Sequence, residues 1–450
     1  MRTYWLFLLL GGVVSAESLL SPNKRSKEAS MDEWTDQQKG IAMGHMLNNI
    51  GDSGMHAKDI NPGCIIASPS TDSPDYYYQW VRDSALTIMT ILDRFFEGDK
   101  GLEPIIVKYM DEMVRLQKVP NPSGDFYAGG LGEPKFNVDG TSYDGDWGRP
   151  QNDSPALRAI AFIKYMNYLF ENGKEVHEVT VWIEAVLADL DYTANHWTEA
   201  SFDLWEEIKD VHYFTLAVQK RAMQDGTAFA KRIGAPDQAA LYQRTIEPID
   251  LKLGEFWDPG MGVIKGYKGR VDRSGLDCST LLASLYSNEF DMHILPTLLK
   301  LQETMTRDYP VNQGWKQAMG RYPEDVYDGV SKSIGNPWFI CTSSAAEIIY
   351  KAIAYYDNKG LPELTEYNIH FFMKFAEFGD PYNWSVIRKN MHTYADNFLK
   401  AVAEFQHPNG SMSEQFSRDD GHQKGARDLT WSYSSLLNAI YRREAIKGSV

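Results

Sequence analysis

Cysteine is nearly absent: Cys64, Cys278 and Cys341 are the only three in 450 residues. A disulfide-stapled scaffold is thereby excluded, and at most one intrachain bridge is open to the chain. The wide spacing of the three fits no zinc motif, and Cys341, inside Trp338-Phe339-Ile340-Cys341, reads as a buried thiol. Positive charge is also short, leaving a net charge of −16. Such a chain repels phosphate backbones and anionic bilayers, so neither nucleic acid nor a membrane surface is an expected partner. Regular alternating β-branched runs are missing, which argues against a sheet-built fold. Long apolar runs are missing too, apart from one at the extreme N-terminus.

That run, Tyr4 to Val13, follows a basic start at Arg2 and precedes Val14-Ser15-Ala16. It is too short to span a bilayer and reads as a signal peptide, residues 1–16, cut after Ala16. The implied address is the secretory pathway, with a secreted, vacuolar or cell-surface destination. No C-terminal retention signal or lipid-anchor tail follows. Asn383-Trp384-Ser385 and Asn409-Gly410-Ser411 are N-glycosylation sequons, and Asn152-Asp153-Ser154 is a weaker one because Pro155 follows.

What the chain has in quantity is helical periodicity and aromatic rings. Residues 17–35 are polar and read as a loose mature N-terminus. From 36 to 450 a single domain is expected. Ala85, Ile88, Met89, Leu92 and Phe96 fall on one helical face. Ser154-Pro155 and Asn336-Pro337 look like helix starts, the first opening a helix through Phe170 and the second preceding a run to Tyr355. Further periodic segments lie near 102–118, 180–197, 203–224, 236–257, 276–288, 293–306, 363–378, 386–406 and 427–443, which makes about a dozen helices. Residues 120–150 and 308–336 are long irregular stretches, the kind that carries function. The class is therefore all-α: paired helices in a closed ring, with loops building a site at one end. Aromatics reach 13 %, with 12 Trp and 25 Tyr, enough flat faces with polar edges to bind sugars, although a large core uses the same residues.

Two carboxylate clusters stand out: Asp203-Leu204-Trp205-Glu206-Glu207, and Gly410-Ser411-Met412-Ser413-Glu414-Gln415 followed by Ala426-Arg427-Asp428-Leu429-Thr430-Trp431-Ser432-Tyr433. Locally, Glu-Glu reads as a solvated helix start, Arg82-Asp83 as an ion pair at a helix start, and a lone Trp338 as core. The longer pattern says more. Ser68-Pro69-Ser70-Thr71-Asp72, Trp80-Val81-Arg82-Asp83-Ser84, Gly130-Leu131-Gly132-Glu133-Pro134-Lys135-Phe136, Trp147-Gly148-Arg149-Pro150-Gln151, Gly320-Arg321-Tyr322-Pro323-Glu324-Asp325 and Asn336-Pro337-Trp338-Phe339 join the two clusters in one order. Together they resemble the fungal glucoamylases of glycoside hydrolase family 15, over residues from about 36 to 445.

The resemblance implies an (α/α)6 barrel that hydrolyses terminal α-1,4-linked glucose, and α-1,6 links more slowly, from an α-glucan or malto-oligosaccharide, releasing β-glucose by inversion. Such hydrolysis needs one protonated and one ionised carboxyl, wide enough apart to admit water. Glu206 is implied as the general acid, its pKa raised with Asp203 and Glu207 as neighbouring charges. Glu414 is implied as the general base. Arg82, Asp83 and Arg321 would hold hydroxyls; Tyr76, Trp147, Trp338 and Trp431 would line the pocket; Leu204 and Trp205 would add contacts and Glu207 would bind the next glucose. No metal or other cofactor is required, and a monomer is the default.

Three departures from the family pattern matter. Phe416 stands where tyrosine is common, Gly425 stands where many relatives carry a serine that bonds the base, and Ile208-Lys209-Asp210-Val211-His212 replaces a small polar stretch after the acid. There is no Ser/Thr-rich linker and no starch-binding module, so soluble glucans are the expected substrates. Two other readings remain at this point: a related barrel hydrolase with a trehalose- or dextran-type substrate, and a non-catalytic carbohydrate-binding relative.

Overall fold

The computed structural model describes residues 23–52, 54–269 and 272–447. The signal-peptide segment, 1–16, lies outside the described residues. Among the described residues thirteen helices follow one another: α1 (Asn23–Leu47), α2 (Val81–Phe96), α3 (Glu103–Gln117), α4 (Asp153–Glu171), α5 (Thr180–His196), α6 (Tyr213–Arg232), α7 (Pro236–Gly254), α8 (Ser279–Tyr286), α9 (Ile294–Asp308), α10 (Phe339–Lys359), α11 (Ile369–Phe375), α12 (Trp384–Phe405) and α13 (Thr430–Lys447). Among the described residues strands are confined to two-residue pairs: β1 (Gln79–Trp80) with β2 (Lys135–Phe136), β3 (Ser201–Phe202) with β4 (Lys209–Asp210), β5 (Trp257–Asp258) with β6 (Val263–Ile264), and β7 (Gln415–Phe416) with β8 (Gln423–Lys424). Each pair is antiparallel and pins a loop rather than building a sheet.

The helices form two rings. α2 packs on α4, α4 on α6, α6 on α8, α8 on α10, α10 on α13, and α13 returns to α2. Outside them α3, α5, α7, α9, α12 and α1 each lean on an inner partner. This is the expected (α/α)6 barrel. The inner helices can approach closely because small residues face the contacts. Ala156, Ala159 and Ala161 on α4 and Ser343, Ser344, Ala345 and Ala346 on α10 are all buried, and a Cβ on Gly226 of α6 would meet Leu190 Cδ1 at 2.7 Å. The stripe read on α2 is therefore too narrow. Ala85, Ile88, Met89 and Leu92 are buried, but so are Arg82, Asp83, Ser84, Thr87 and Thr90 on its other sides. An inner-ring helix is enclosed all round. No helix among the described residues is long and apolar enough to cross a membrane.

Several local expectations are corrected. The stretch expected to be loose up to residue 35 belongs to α1 from Asn23 onward. Asp32 pairs with Arg443 at 2.6 Å and with Lys447, and Lys39 with Glu444 at 2.6 Å, so α13 gives this helix a charged surface to lie on. α4 starts at Asp153 with Asn152 as its cap, which puts Pro155 inside the first turn. α10 starts only at Phe339. Pro337 lies in an extended segment bridged to Gly320, and its carbonyl accepts the Phe416 amide at 3.1 Å. Asn152 is 1 % exposed, with Oδ1 accepting from the Tyr192 hydroxyl at 3.0 Å, so the folded chain does not present it to a glycosylating enzyme. Asn383 and Asn409 are exposed. All three cysteines are free and buried, and the Cys278 and Cys341 thiols are hydrogen-bond partners.

Candidate active site

The inner helices begin at one end of the barrel, and a cavity of about 380 Å³ opens there. Its floor is the filled interior of the inner ring, so it is closed below. Arg82 and Asp83 reach it from the first turn of α2, Trp431 from the start of α13, and Trp338 from the residue capping α10. The loop between β3 and β4 supplies Leu204, Trp205, Glu206 and Glu207; the segment entering β7 supplies Glu414; Tyr76, Trp147 and Arg321 come from other loops. Every residue singled out as catalytic or substrate-binding thus lines one hollow.

The periodicity near 203–224 predicts a helix from Asp203, but the helix starts at Tyr213, and the segment before it is a tight loop. Asp203 builds it: its Oδ1 accepts the amides of Glu207 at 2.7 Å and Ile208 at 2.8 Å, and its carbonyl accepts the Glu206 amide at 2.9 Å. Asp203 therefore shapes the backbone and spends its carboxylate on amides. Glu206 takes φ +65°, a left-handed conformation that costs a non-glycine residue energy and recurs where chemistry requires it. Its Oε1 accepts the Trp80 indole N–H at 2.7 Å and the Gln151 amide at 2.9 Å, with Arg82 Nη2 3.7 Å away. Trp80 and Gln151 were given no role from sequence. Trp80 sits next to the Val81-Arg82-Asp83 block, and that adjacency was the signal.

Glu207 lies in an ion-pair network. Its Oε1 accepts Arg321 Nη2 at 2.8 Å, and its Oε2 accepts Arg273 Nη2 at 3.0 Å and the Tyr322 hydroxyl. Partial burial pushes its carboxyl up, but Arg321, Tyr322 and Arg273 outweigh that and hold it below the usual range. Arg321 is itself clamped by two bonds to Asp325, at 2.8 and 2.7 Å. Asp325 also accepts the Tyr327 amide at 2.8 Å, so it anchors this loop. Arg82 gives Nη1 to Gln151 at 2.7 Å and to Asp153 at 3.1 Å, leaving Nε without a partner. Burial pushes Asp83 up to about 6; Arg82 opposes this, while Glu206 and Asp153 add to it. The Trp147 and Trp338 indole N–H groups are also buried without acceptors. Unpaired buried donors are costly unless something polar meets them.

Glu414 has different surroundings. It is 1 % exposed. Its amide donates to the Ala426 carbonyl at 2.8 Å, and its Oε2 accepts the Gln415 amide at 3.3 Å. Burial pushes its carboxyl up to about 8, against the Tyr76 and Tyr327 hydroxyls and the Arg321 charge. A Cβ built on Gly425 would lie 2.3 Å from Glu414 Oε2, and Gly425 has φ +72°. The missing side chain is what lets the carboxyl occupy its place. Phe416 does not face the carboxyl. Its ring lies between Phe339 and Phe405, each 4.8 Å away, so its lost hydroxyl belongs to the core and not to the cavity. Tyr327, missed in sequence, lines the cavity and holds its hydroxyl 3.3 Å from that of Tyr76. Tyr76 feels the charge of both Glu206 and Glu414 and lines the same cavity as they do.

Behind the wall, Lys135 is caged by aromatic rings, 3.5 Å from the centroid of Trp147, 4.7 Å from Trp80, and 4.0 Å from each of Tyr78 and Tyr143. Burial pulls its ammonium down to about 8, opposed by Glu206 and Asp75. The ring faces stabilise the cation, and the cation fixes both tryptophans.

Comparison with known proteins agrees with this geometry. Glucoamylase-1 of Schizophyllum commune is 35 % identical over 442 residues, covering 93 % of this chain and 75 % of the relative. Glucoamylase 1 of Rhizopus oryzae is 36 % identical over 441 residues, covering 92 % and 71 %. The solved glucoamylase from Saccharomycopsis fibuligera superposes with a TM-score of 0.89 at 32 % identity, over 93 % of this chain and 96 % of that one. The pattern of the glycosyl hydrolases family 15 matches residues 40–441. A two-ring helical barrel, a pair of glutamates in one cavity at its open end, and matches over nearly the full chain lead to one conclusion: this protein belongs to the glycosyl hydrolases of family 15.

Proposed function

We propose that this hydrolase removes single glucose units from the non-reducing ends of α-1,4-glucans by inversion, acting more slowly at α-1,6 links. The observation that carries the reading is the convergence of Glu206 and Glu414 on one cavity, with Tyr76 on its wall. In this reading Glu206 gives its proton to the glycosidic oxygen, and Glu414 takes one from a water on the other face of the ring. The C1–O bond breaks as the water oxygen closes on C1, and β-glucose results. Arg82, Asp83 and Arg321 hold the hydroxyls of the terminal unit through charged hydrogen bonds. Trp147, Trp338 and Trp431 pack against sugar faces, and Glu207 meets the next unit.

Burial favours the protonated form of Glu414, up to about 8. Positive charge building at C1 favours its carboxylate as the reaction proceeds. Turnover of maltoheptaose followed by NMR tests the reading: β-glucose is the first product expected, and α-glucose or maltose overturns it.

The N-terminal 16 residues fit export, and exposed Asn383 and Asn409 fit N-glycan attachment in a secreted, vacuolar or cell-surface enzyme acting as a monomer. Mass spectrometry of the protein purified from its native host checks this. A mature chain beginning near residue 17 with glycan at both sites is the expected result.

A further inference from the structure

At the far end of the barrel, where the inner helices finish, lies a second cavity of about 450 Å³. Its walls come from the C-terminal halves of α2 and α13, the middle of α4, α6 and α10, and the end of α8. None of its residues enters the hydrolytic reading. In a chain of net charge −16, this cavity has more cations than anions on its lining.

The cations sort by partner. Arg94 leans on Glu97, Lys164 pairs with Asp93 at 2.5 Å, and Arg221 reaches Asp225 at 3.3 Å and the Tyr286 carbonyl at 2.8 Å. That leaves Lys351 and Arg442 to share Glu347. Arg442 Nη2 is 3.8 Å from Glu347 Oε1, beyond hydrogen-bond range, and Lys351 gives its proton only to the Ser284 carbonyl. Among the described residues the Glu347 carboxyl accepts no hydrogen bond, and burial favours its neutral form. Burial and the charges of Arg442 and Arg221 outweigh Glu347 and pull the Lys351 ammonium down to about 8. Like charges crowded around a buried ammonium are unfavourable by themselves. An anion seated among them removes the strain.

We propose that this cavity binds a compact phosphate-bearing anion, with Lys351 and Arg442 as its main contacts. Guanidinium and ammonium groups that are not already saturated by carboxylates are what phosphate oxygens require. The amide of Asn438 and the hydroxyl of Ser287 on the same wall suit the hydroxyls of a phosphorylated sugar. The site is separate from the hydrolytic cavity, which lies at the opposite ends of the same helices.

Calorimetry on the full chain tests the assignment, titrating inorganic phosphate, glucose 6-phosphate and unphosphorylated glucose in chloride buffer of constant ionic strength, with acarviosine-type inhibitor filling the hydrolytic cavity. One saturable phosphate-dependent site is expected, weakened about tenfold or more in both Lys351→Met and Arg442→Gln. Maltose turnover without phosphate stays unchanged in both variants. Tighter binding of glucose 6-phosphate assigns a phosphorylated sugar; equal or weaker binding assigns free phosphate. Absence of heat beyond the chloride control, equal binding of plain glucose, or full affinity in both variants overturns the proposal. Arg442 has a side chain 42 % exposed, so Arg442→Gln keeps the test decisive should Lys351→Met unfold.

Discussion

The loop carrying Glu206 and the segment carrying Glu414 hold the same side chain in opposite ways. Glu206 is on a strained backbone and surrounded by donors: an indole N–H, an amide and a nearby guanidinium. Glu414 is on relaxed backbone at the entry to β7, sealed from solvent, with a glycine against its carboxyl. Burial favours the protonated form of Glu414, the opposite of what its proposed role requires. Positive charge developing on the sugar offsets that burial, and the contrast can be tested in steps.

The largest effect is expected from removing either carboxyl. Glu206→Gln and Glu414→Gln should each lower kcat on maltose by about 10³-fold or more, with binding of intact oligosaccharide retained in calorimetry. Full binding loss with normal folding would remove both from the chemistry. Next comes the support of the acid. Trp80→Phe keeps an aromatic side chain while deleting the donor to Glu206 and part of the bicycle, so kcat should fall about tenfold while KM changes little.

A smaller effect concerns pH. The base works as a carboxylate, and burial holds it protonated up to about 8, so the acidic limb of kcat/KM should rise towards that pH. Gly425→Ser adds a donor to Glu414, favours its carboxylate, and should move that limb to lower pH, whereas Gly425→Ala should not. Both side chains crowd the carboxyl, so the alanine variant isolates the hydroxyl. The smallest effect is on stability. Glu414 is raised in the fold relative to its ordinary value of 4.5, so its contribution is intact below that value and lost as pH rises through about 8. Glu414→Gln should then melt at the wild-type temperature at pH 4 and several degrees higher at pH 8, about 4 kcal/mol in favour of the variant.

The same contrast explains what the sequence discloses. Residues of the pocket such as Arg82, Glu206, Arg321 and Glu414 sit inside ordered blocks, so they could be named without coordinates. The helix ring was legible because periodicity survives even where inner helices are buried all round. The loop at 203–212 was not, because its apolar spacing imitates a helix and only the grip of Asp203 on two amides diverts the backbone. α1 was missed because a polar stretch becomes helical through ion pairs to α13, a partner about 400 positions away. Trp80, Gln151 and Tyr327 act through distances that linear order does not carry. The burial of Asn152 was hidden for the same reason: a sequon reports three letters and nothing of Tyr192 packed over them.

The floor beneath the hydrolytic cavity, formed where the inner ring is packed solid, leaves a single doorway for all traffic. A polymer can insert only its tip, and the freed monosaccharide must depart by the route along which the polymer arrived. The shortened chain has to withdraw before the next cut, so every turnover offers a chance to exchange one polymer for another, and a cyclic glucan, having no tip, stays outside.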